Sequence, residues 1–122
     1  MTDDRAAERA VERDGEEFCY ITTVGCVSGR PHTIEIWFTA RADSIYILAG
    51  GGTESDWVQN VLADPSAIVK IGDRAQRAVG RLVDEEESGF ARSMIPAKYA
   101  HRESGLEEWA KTALAVAFDL RE

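Results

Sequence analysis

Apolar and polar residues alternate along much of the chain, which is typical of β-strands that bury one face. The alternation is clearest from His32 to Ala40, where Ile34, Ile36 and Phe38 fall on one face. Five further segments show the same alternation or are rich in β-branched and aromatic residues: 18–24, 44–49, 67–71, 75–83 and 113–120. The pattern therefore predicts six strands, of which the first three form a meander.

Other segments have the residue spacing of amphipathic helices. They cover about residues 2–16, 54–63, 84–100 with a break near Pro96, and 106–111. Gly15 and Asp64-Pro65 supply stop signals, and the acidic run at 84–87 suits a helix N-terminus. Strands with helices inserted between them predict an α+β, mainly β fold, a small closed or half-open barrel with packed helices.

No internal repeat, low-complexity tract or linker divides the chain, so residues 1–122 are predicted to form one domain. Its formal net charge is -8, which argues against a broad surface for nucleic acid. The acidity lies at the ends, because residues 1–17 hold seven acids and three bases, and residues 84–122 hold nine and five. Residues 18–83 are neutral, with six of each, so one phosphorylated cofactor remains compatible with this part.

The chain has no apolar run of the length that spans a bilayer, and its N-terminus lacks the apolar core of a signal peptide. We therefore expect no transmembrane segment and a cytoplasmic location. Cys19 and Cys26 are expected to be reduced thiols. His32 and His101 do not have metal-binding spacing, so no metal site is predicted.

No motif for nucleophilic or acid-base catalysis occurs, so an enzyme of this sequence would depend on a bound cofactor. The strongest candidate site is the stretch Gly50-Gly51-Gly52, which leads from a strand into a helix that Thr53 or Ser55 is expected to cap. Its backbone N–H groups could form a cradle for an anionic or electron-rich ring system. The alternative is a flexible loop without a ligand.

A second candidate is the turn Ser28-Gly29-Arg30-Pro31-His32. An arginine between glycine and proline, beside a hydroxyl and an imidazole, could hold a phosphate or carboxylate small-molecule ligand. The alternative is a solvated turn arginine.

Four further residues leave two interpretations open. Arg77 and Arg81 share one strand face and could be solvated or could line a groove for an anionic tail. Tyr99 could be a core aromatic residue or a substrate-side donor. Trp37, on the polar face of its strand, could form a second packing surface or a stacking platform.

Taken together, several motifs resemble the deazaflavin (F420)-dependent nitroreductase family, which belongs to the split β-barrel flavin-binding superfamily. The similarity is strongest over about residues 18–72 and rests on the following segments: 20–25 (YITTVG), 28–31 (SGRP), 33–38 (TIEIWF), 49–52 (AGGG) and 56–61 (DWVQNV) before Asp64-Pro65. The resemblance implies a six-stranded split barrel of the FMN-binding, pyridoxamine-phosphate-oxidase-like type. It also implies hydride transfer from reduced F420 to nitro, quinone or other conjugated acceptors.

The resemblance assigns the cofactor site to two segments and the substrate side to Tyr99. The implied cofactor-binding residues are Ser28, Gly29, Arg30, Pro31, His32, Ala49, Gly50, Gly51, Gly52, Asp56 and Trp57. Many relatives have basic residues directly after the turn glycine, whereas this chain has Cys26 and Val27, which leaves Arg30 as the nearest cation.

Because of this departure, two alternatives stay open. One is an FMN-binding oxidoreductase, a class in which barrels usually pair as dimers that share the site, so a homodimer is one alternative for the oligomeric state. The other is a non-catalytic barrel that holds an apolar or pigment ligand.

Overall fold

The structure is a computed structural model that describes residues 15–121, so the helix predicted over residues 2–16 lies almost entirely outside the described residues. The strands are β1 (Cys19–Val24), β2 (Pro31–Ile36), β3 (Thr39–Arg41), β4 (Ser44–Ala49), β5 (Ser66–Ile71), β6 (Arg74–Leu82) and β7 (Leu114–Leu120). The α-helices are α1 (Asp56–Ala63), α2 (Glu85–Lys98) and α3 (Leu106–Thr112), and a 3-10 turn at Gly52–Glu54 precedes α1. The mainly β fold with packed helices is confirmed.

The second predicted strand is divided in two, so the sheet has seven strands where six were predicted. The division falls at Trp37 and Phe38. The Phe38 N–H donates to the Tyr99 hydroxyl (3.1 Å), and the Phe38 carbonyl accepts from Lys98 Nζ (2.9 Å). Side chains distant in sequence thus satisfy the backbone groups that a continuous strand would pair, and the chain is free to change its strand partner.

All strand pairs are antiparallel, and their order is β2-β1-β5-β6-β7-β4-β3. β2 and β3 lie at opposite edges of this order, yet only two residues separate Ile36 from Thr39. A step of three residues spans at most roughly 11 Å. The two edges must therefore approach each other, which curls the sheet into a half-open barrel. The predicted meander is therefore divided: the first part of the predicted second strand pairs with β1 and its last part pairs with β4, so the three strands do not lie side by side.

The core has two parts on opposite faces of β4, whose six residues are all buried. Inside the barrel, fully buried side chains such as Ile21, Phe38 and Phe118 pack together, and Val58 of α1 joins them. Outside, Leu48 and Tyr46 of β4 pack under α2 and α3. α2 and α3 therefore cover the outer face of β4, whereas α1 packs against the interior of the barrel.

α2 runs without interruption through Pro96, so the predicted break was wrong. Pro96 lies in the last turn, two residues before the helix ends at Lys98. Its missing N–H therefore removes one hydrogen bond without preventing the final turn. At the other end, the acidic run lies at the helix N-terminus as predicted, and the Asp84 side chain accepts from the Glu87 N–H (2.9 Å).

Arg81 forms an ion-pair network that fastens α2 to the sheet. Its guanidinium donates to Glu87 of α2 (2.7 and 2.8 Å) and to Asp119 of β7 (2.7 and 3.2 Å). Tyr46 also donates to Glu87 (2.8 Å). These hydrogen bonds, chiefly those from Arg81, lower the pKa of Glu87 from 4.5 to about 2. Arg81 thus has a structural partner and is neither simply solvated nor free for a ligand.

Candidate functional site

A cavity of about 400 Å³ lies between the turn after β1 and the first half of α1. Its volume falls within the range of small-molecule sites. Its walls are formed by Thr23, Gly25, Cys26, Val27, Ser28, His32, Thr33, Ile34, Asp56, Trp57, Gln59 and Asn60. The structure therefore brings together the turn segment and the helix segment, which the sequence marked separately as candidates.

The turn wall of the cavity is held by its own hydrogen bonds. The Gly25 N–H donates to the Arg30 carbonyl (2.8 Å), and the Gly29 N–H donates to the Gly25 carbonyl (2.8 Å). The Arg30 N–H donates to the Ser28 hydroxyl oxygen (3.1 Å). Gly29 has a φ of +73°, a conformation that favours glycine. The turn is therefore a defined structure and not a loose connection.

Ser28 and His32 form a polar pair on this wall, with 3.1 Å between the Ser28 hydroxyl oxygen and His32 Nε2. Gly25 lies directly beside this pair and is buried. A Cβ at Gly25 would approach both His32 Nε2 and the Ser28 hydroxyl oxygen to 2.6 Å. A side chain at position 25 would therefore displace the Ser28–His32 pair, and sequence reasoning did not select Gly25 as a site residue.

Trp57 gives the opposite wall an aromatic surface. Its ring is half-buried and packs on Phe118 of the barrel core, with 6.1 Å between ring centroids and a 36° tilt. Ser55 occupies the N-cap position of α1, but no side chain forms the predicted cap hydrogen bond. The Gln59 side chain instead donates to the Thr53 carbonyl (3.2 Å) and ties the preceding 3-10 turn to the helix.

Asn60 connects the two walls of the cavity. Its Oδ1 accepts from the Cys26 N–H (2.9 Å), and its Nδ2 donates to the Thr23 hydroxyl (3.1 Å). The sequence signal was a polar residue three positions after Trp57 on the apolar stripe of the helix, and our sequence reasoning overlooked it. The cavity residues not selected from sequence are Thr23, Gly25, Cys26, Val27, Thr33, Ile34, Gln59 and Asn60.

The glycine loop does not line this cavity, and neither does Ala49. Gly50 packs against α3, because a Cβ there would lie 2.7 Å from Trp109 Nε1. Gly52 has a φ of +59°, which suits the turn into α1. The loop as a cofactor cradle therefore stays a prediction, while the close approach of Trp109 to Gly50 and the positive φ of Gly52 favour glycine at these two positions.

Arg30 and its neighbours Gly29 and Pro31 flank the cavity without lining it. The Arg30 side chain is exposed, and within residues 15–121 its guanidinium has no hydrogen bond or ion pair. Asp56 is the only carboxylate among the cavity-lining residues in the described part of the chain. The region around the turn therefore offers a cation that is available to an anionic ligand.

Tyr99 lies in the core, one of the two alternatives that the sequence left open. Its side chain is 1% exposed and stacks on Trp37 at a ring distance of 4.3 Å. Its hydroxyl accepts from the Phe38 N–H and donates to the Glu17 carbonyl (2.7 Å). This geometry gives no support to Tyr99 as a substrate-side donor. The same stacking makes Trp37 part of a second packing surface.

The described cysteines are both free. Cys26 is exposed on the turn, whereas Cys19 is buried in the barrel, where desolvation raises the pKa of its thiol to about 12. The buried thiol is therefore protonated and unreactive at neutral pH.

The curled seven-stranded sheet with its helix-walled cavity defines a split-barrel protein of the pyridoxamine-phosphate-oxidase-like class. The family model of F420H(2)-dependent quinone reductase matches residues 4–117, and the chain belongs to this family. A comparison with curated proteins gave no significant match.

Solved structures of low sequence identity share the fold. A conserved hypothetical protein from Mycobacterium tuberculosis has a TM-score of 0.75 at 17% identity, over 95% of this chain and 80% of that one. An F420-H2 dependent reductase has a TM-score of 0.68 at 18% identity, over 86% and 94%. A Listeria innocua protein assigned as a pyridoxamine 5'-phosphate oxidase has a TM-score of 0.71 at 15% identity, over 96% and 94%.

Family membership identifies F420 as the cofactor and the chain as an F420-dependent oxidoreductase. The cavity fits such a group by its chemistry. Trp57 and Ile34 offer apolar surface for a planar ring, Ser28 and His32 offer polar contacts, and Arg30 offers a positive charge beside the turn. Within residues 15–121, no helix has the length and apolar character to cross a membrane.

Proposed function

We propose that the cavity between the turn and α1 is the F420 site and that quinones are the hydride acceptors. One observation carries the proposal: Ser28 and His32 of the turn and Asp56-Trp57 at the helix start, implied as cofactor-binding by separate motifs, line one cavity of suitable size. The family match supports the reaction class and favours F420 over FMN. Nitro compounds and other conjugated acceptors belong to the same proposal, because they accept a hydride in the same way.

In this proposal, different residues of the cavity bind different parts of F420. When bound, reduced F420 supplies a hydride to the acceptor. Trp57 and Ile34 would hold the flat apolar part of the cofactor and exclude water from it. Ser28 and His32 would contact its polar groups, and Arg30, beside the turn, would hold its anionic part through charge-assisted hydrogen bonds. Asp56, a carboxylate of the cavity lining, lies on the α1 wall.

Arg30→Ala tests the assignment of the anionic part. We expect the dissociation constant for oxidised F420 to rise by about tenfold, because charge-assisted hydrogen bonds contribute about 1.5–3 kcal/mol. The measurement is a titration of F420 fluorescence with purified protein. Arg74→Ala, which removes an exposed arginine at the start of β6, is the matched control and should leave the constant unchanged. Equal constants for wild type and Arg30→Ala would contradict the assignment.

The homodimer and the cytoplasmic location stay predictions within this proposal. An open groove of about 600 Å³ on the outer face of β1, β5 and β6 supports the homodimer. Its apolar residues include Val24 and Ile68, which are 38% and 40% exposed. Paired chains would cover this face. Light scattering of the purified protein should give the mass of two chains, and the mass of one chain would contradict the dimer.

A further inference from the structure

Asn60 is a polar side chain on the buried face of an otherwise apolar helix stripe. It is 6% exposed and lies between Trp57 and Val61, both of which pack on the barrel core. A buried carboxamide is unfavourable unless both its oxygen and its nitrogen form hydrogen bonds. Both atoms do so here, and both partners belong to the β1 side of the cavity.

The orientation of the Asn60 carboxamide follows from its partners. A backbone N–H can only donate, so the atom facing Cys26 must be the oxygen. The nitrogen therefore faces Thr23, whose hydroxyl accepts its hydrogen bond. One side chain of α1 thus forms hydrogen bonds to Thr23 near the end of β1 and to Cys26 in the turn.

The remaining backbone hydrogen bonds of the turn are internal to it. The Gly25 and Gly29 N–H groups and the Arg30 N–H all donate to atoms of residues 25–30. Among residues 15–121, Asn60 is therefore the hydrogen-bonding link between this turn and α1. Internal hydrogen bonds hold the shape of the turn, and the bond from Cys26 to Asn60 joins it to the helix that carries the Trp57 wall.

We propose that Asn60 is a positioning residue for the cofactor: its carboxamide sets the separation between the two walls of the cavity and so places Ser28, His32 and Arg30 for binding. The proposal rests on the proposed function of this cavity. It predicts an effect on cofactor affinity that exceeds the effect on turnover, because Asn60 acts through the turn and not on the reacting atoms.

The first test needs no ligand and measures amide hydrogen exchange at Cys26. In Asn60→Ala we expect exchange at Cys26 to be roughly tenfold faster than in Val61→Ala, which weakens the same helix through the core. Asn60→Asp keeps an acceptor for the Cys26 N–H and for the Thr23 hydroxyl, so exchange at Cys26 should be slower than in Asn60→Ala. If Asn60→Ala does not fold, Thr23→Val removes one of the two hydrogen bonds and should show a smaller increase. Exchange at Cys26 no faster than in Val61→Ala would overturn the proposal.

The second test measures F420 binding and turnover with the same variants. For Asn60→Ala we expect a dissociation constant about tenfold higher, with kcat at saturating cofactor within about twofold of wild type. Val61→Ala should lower Tm and leave the constant unchanged. An equal loss of affinity in both variants would overturn the positioning role. Absence of F420 binding by wild type would overturn the proposed function instead, and the exchange result would then decide the role of Asn60 alone.

Discussion

Trp57→Ala is expected to weaken F420 binding roughly 100-fold, because truncation of a central aromatic in a binding site commonly costs about 2–4 kcal/mol. Trp57 provides the aromatic wall of the cavity, and its ring is held in place by Phe118 beneath it. The substitution removes the flat surface and opens the cavity to water. Calorimetric titration of F420 measures the loss, and circular dichroism checks that the chain remains folded.

Two variants on the same helix separate the loss of this cofactor contact from a general loss of folded structure. Trp57→Phe keeps an aromatic face and should retain affinity to within about tenfold of wild type. Leu62→Ala changes a side chain that is 53% exposed and outside the cavity, and should bind as wild type does. An affinity of folded Trp57→Ala within twofold of wild type would contradict Trp57 as a cofactor wall.

Tyr99→Ala is expected to lower the free energy of unfolding by about 3–5 kcal/mol, the usual loss for a large buried aromatic. The Tyr99 side chain is 1% exposed, stacks on Trp37, and satisfies the Phe38 backbone at the point where β2 passes into β3. Its removal leaves a cavity and an unpaired N–H at the bend that closes the barrel. Urea denaturation followed by fluorescence gives the change.

Tyr99→Phe separates the core role from a substrate-side role. It keeps the stacked ring but removes the hydroxyl that joins Phe38 to Glu17, so we expect stability to fall by about 1–3 kcal/mol. Because the hydroxyl lies outside the cavity, kcat with a quinone acceptor should be unchanged. Wild-type stability combined with a large fall in kcat would show that Tyr99 acts on the substrate after all.

Most of the strands could be predicted because alternation follows directly from burial of one sheet face. β1 and β5 show it plainly, since their inward residues are buried and most of the others are exposed. The change of partner at Trp37 and Phe38 could not be predicted, because it depends on Lys98 and Tyr99, about 60 residues further along the chain. Local pattern carries no information about such a distant contact.

The candidate site was predictable in its segments but not in its assembly. Arg30, His32 and Trp57 stand out by residue type and motif, and the structure places His32 and Trp57 on facing walls. Gly25 and Asn60 were missed, because a close approach and a buried pair of hydrogen bonds become visible only when both walls are present. The glycine loop was selected for its composition. In the structure, Gly50 packs against Trp109 and Gly52 forms part of the turn into α1.

Mapping of amide chemical shifts on addition of F420 tests most directly whether this cavity is the cofactor site. The predicted result is saturable binding, with the largest shifts at residues 25–33 and 56–60, the two walls of the cavity. Shifts confined to Gly50–Gly52 or to the outer groove around Ile68, with residues 25–33 unchanged, would contradict the account.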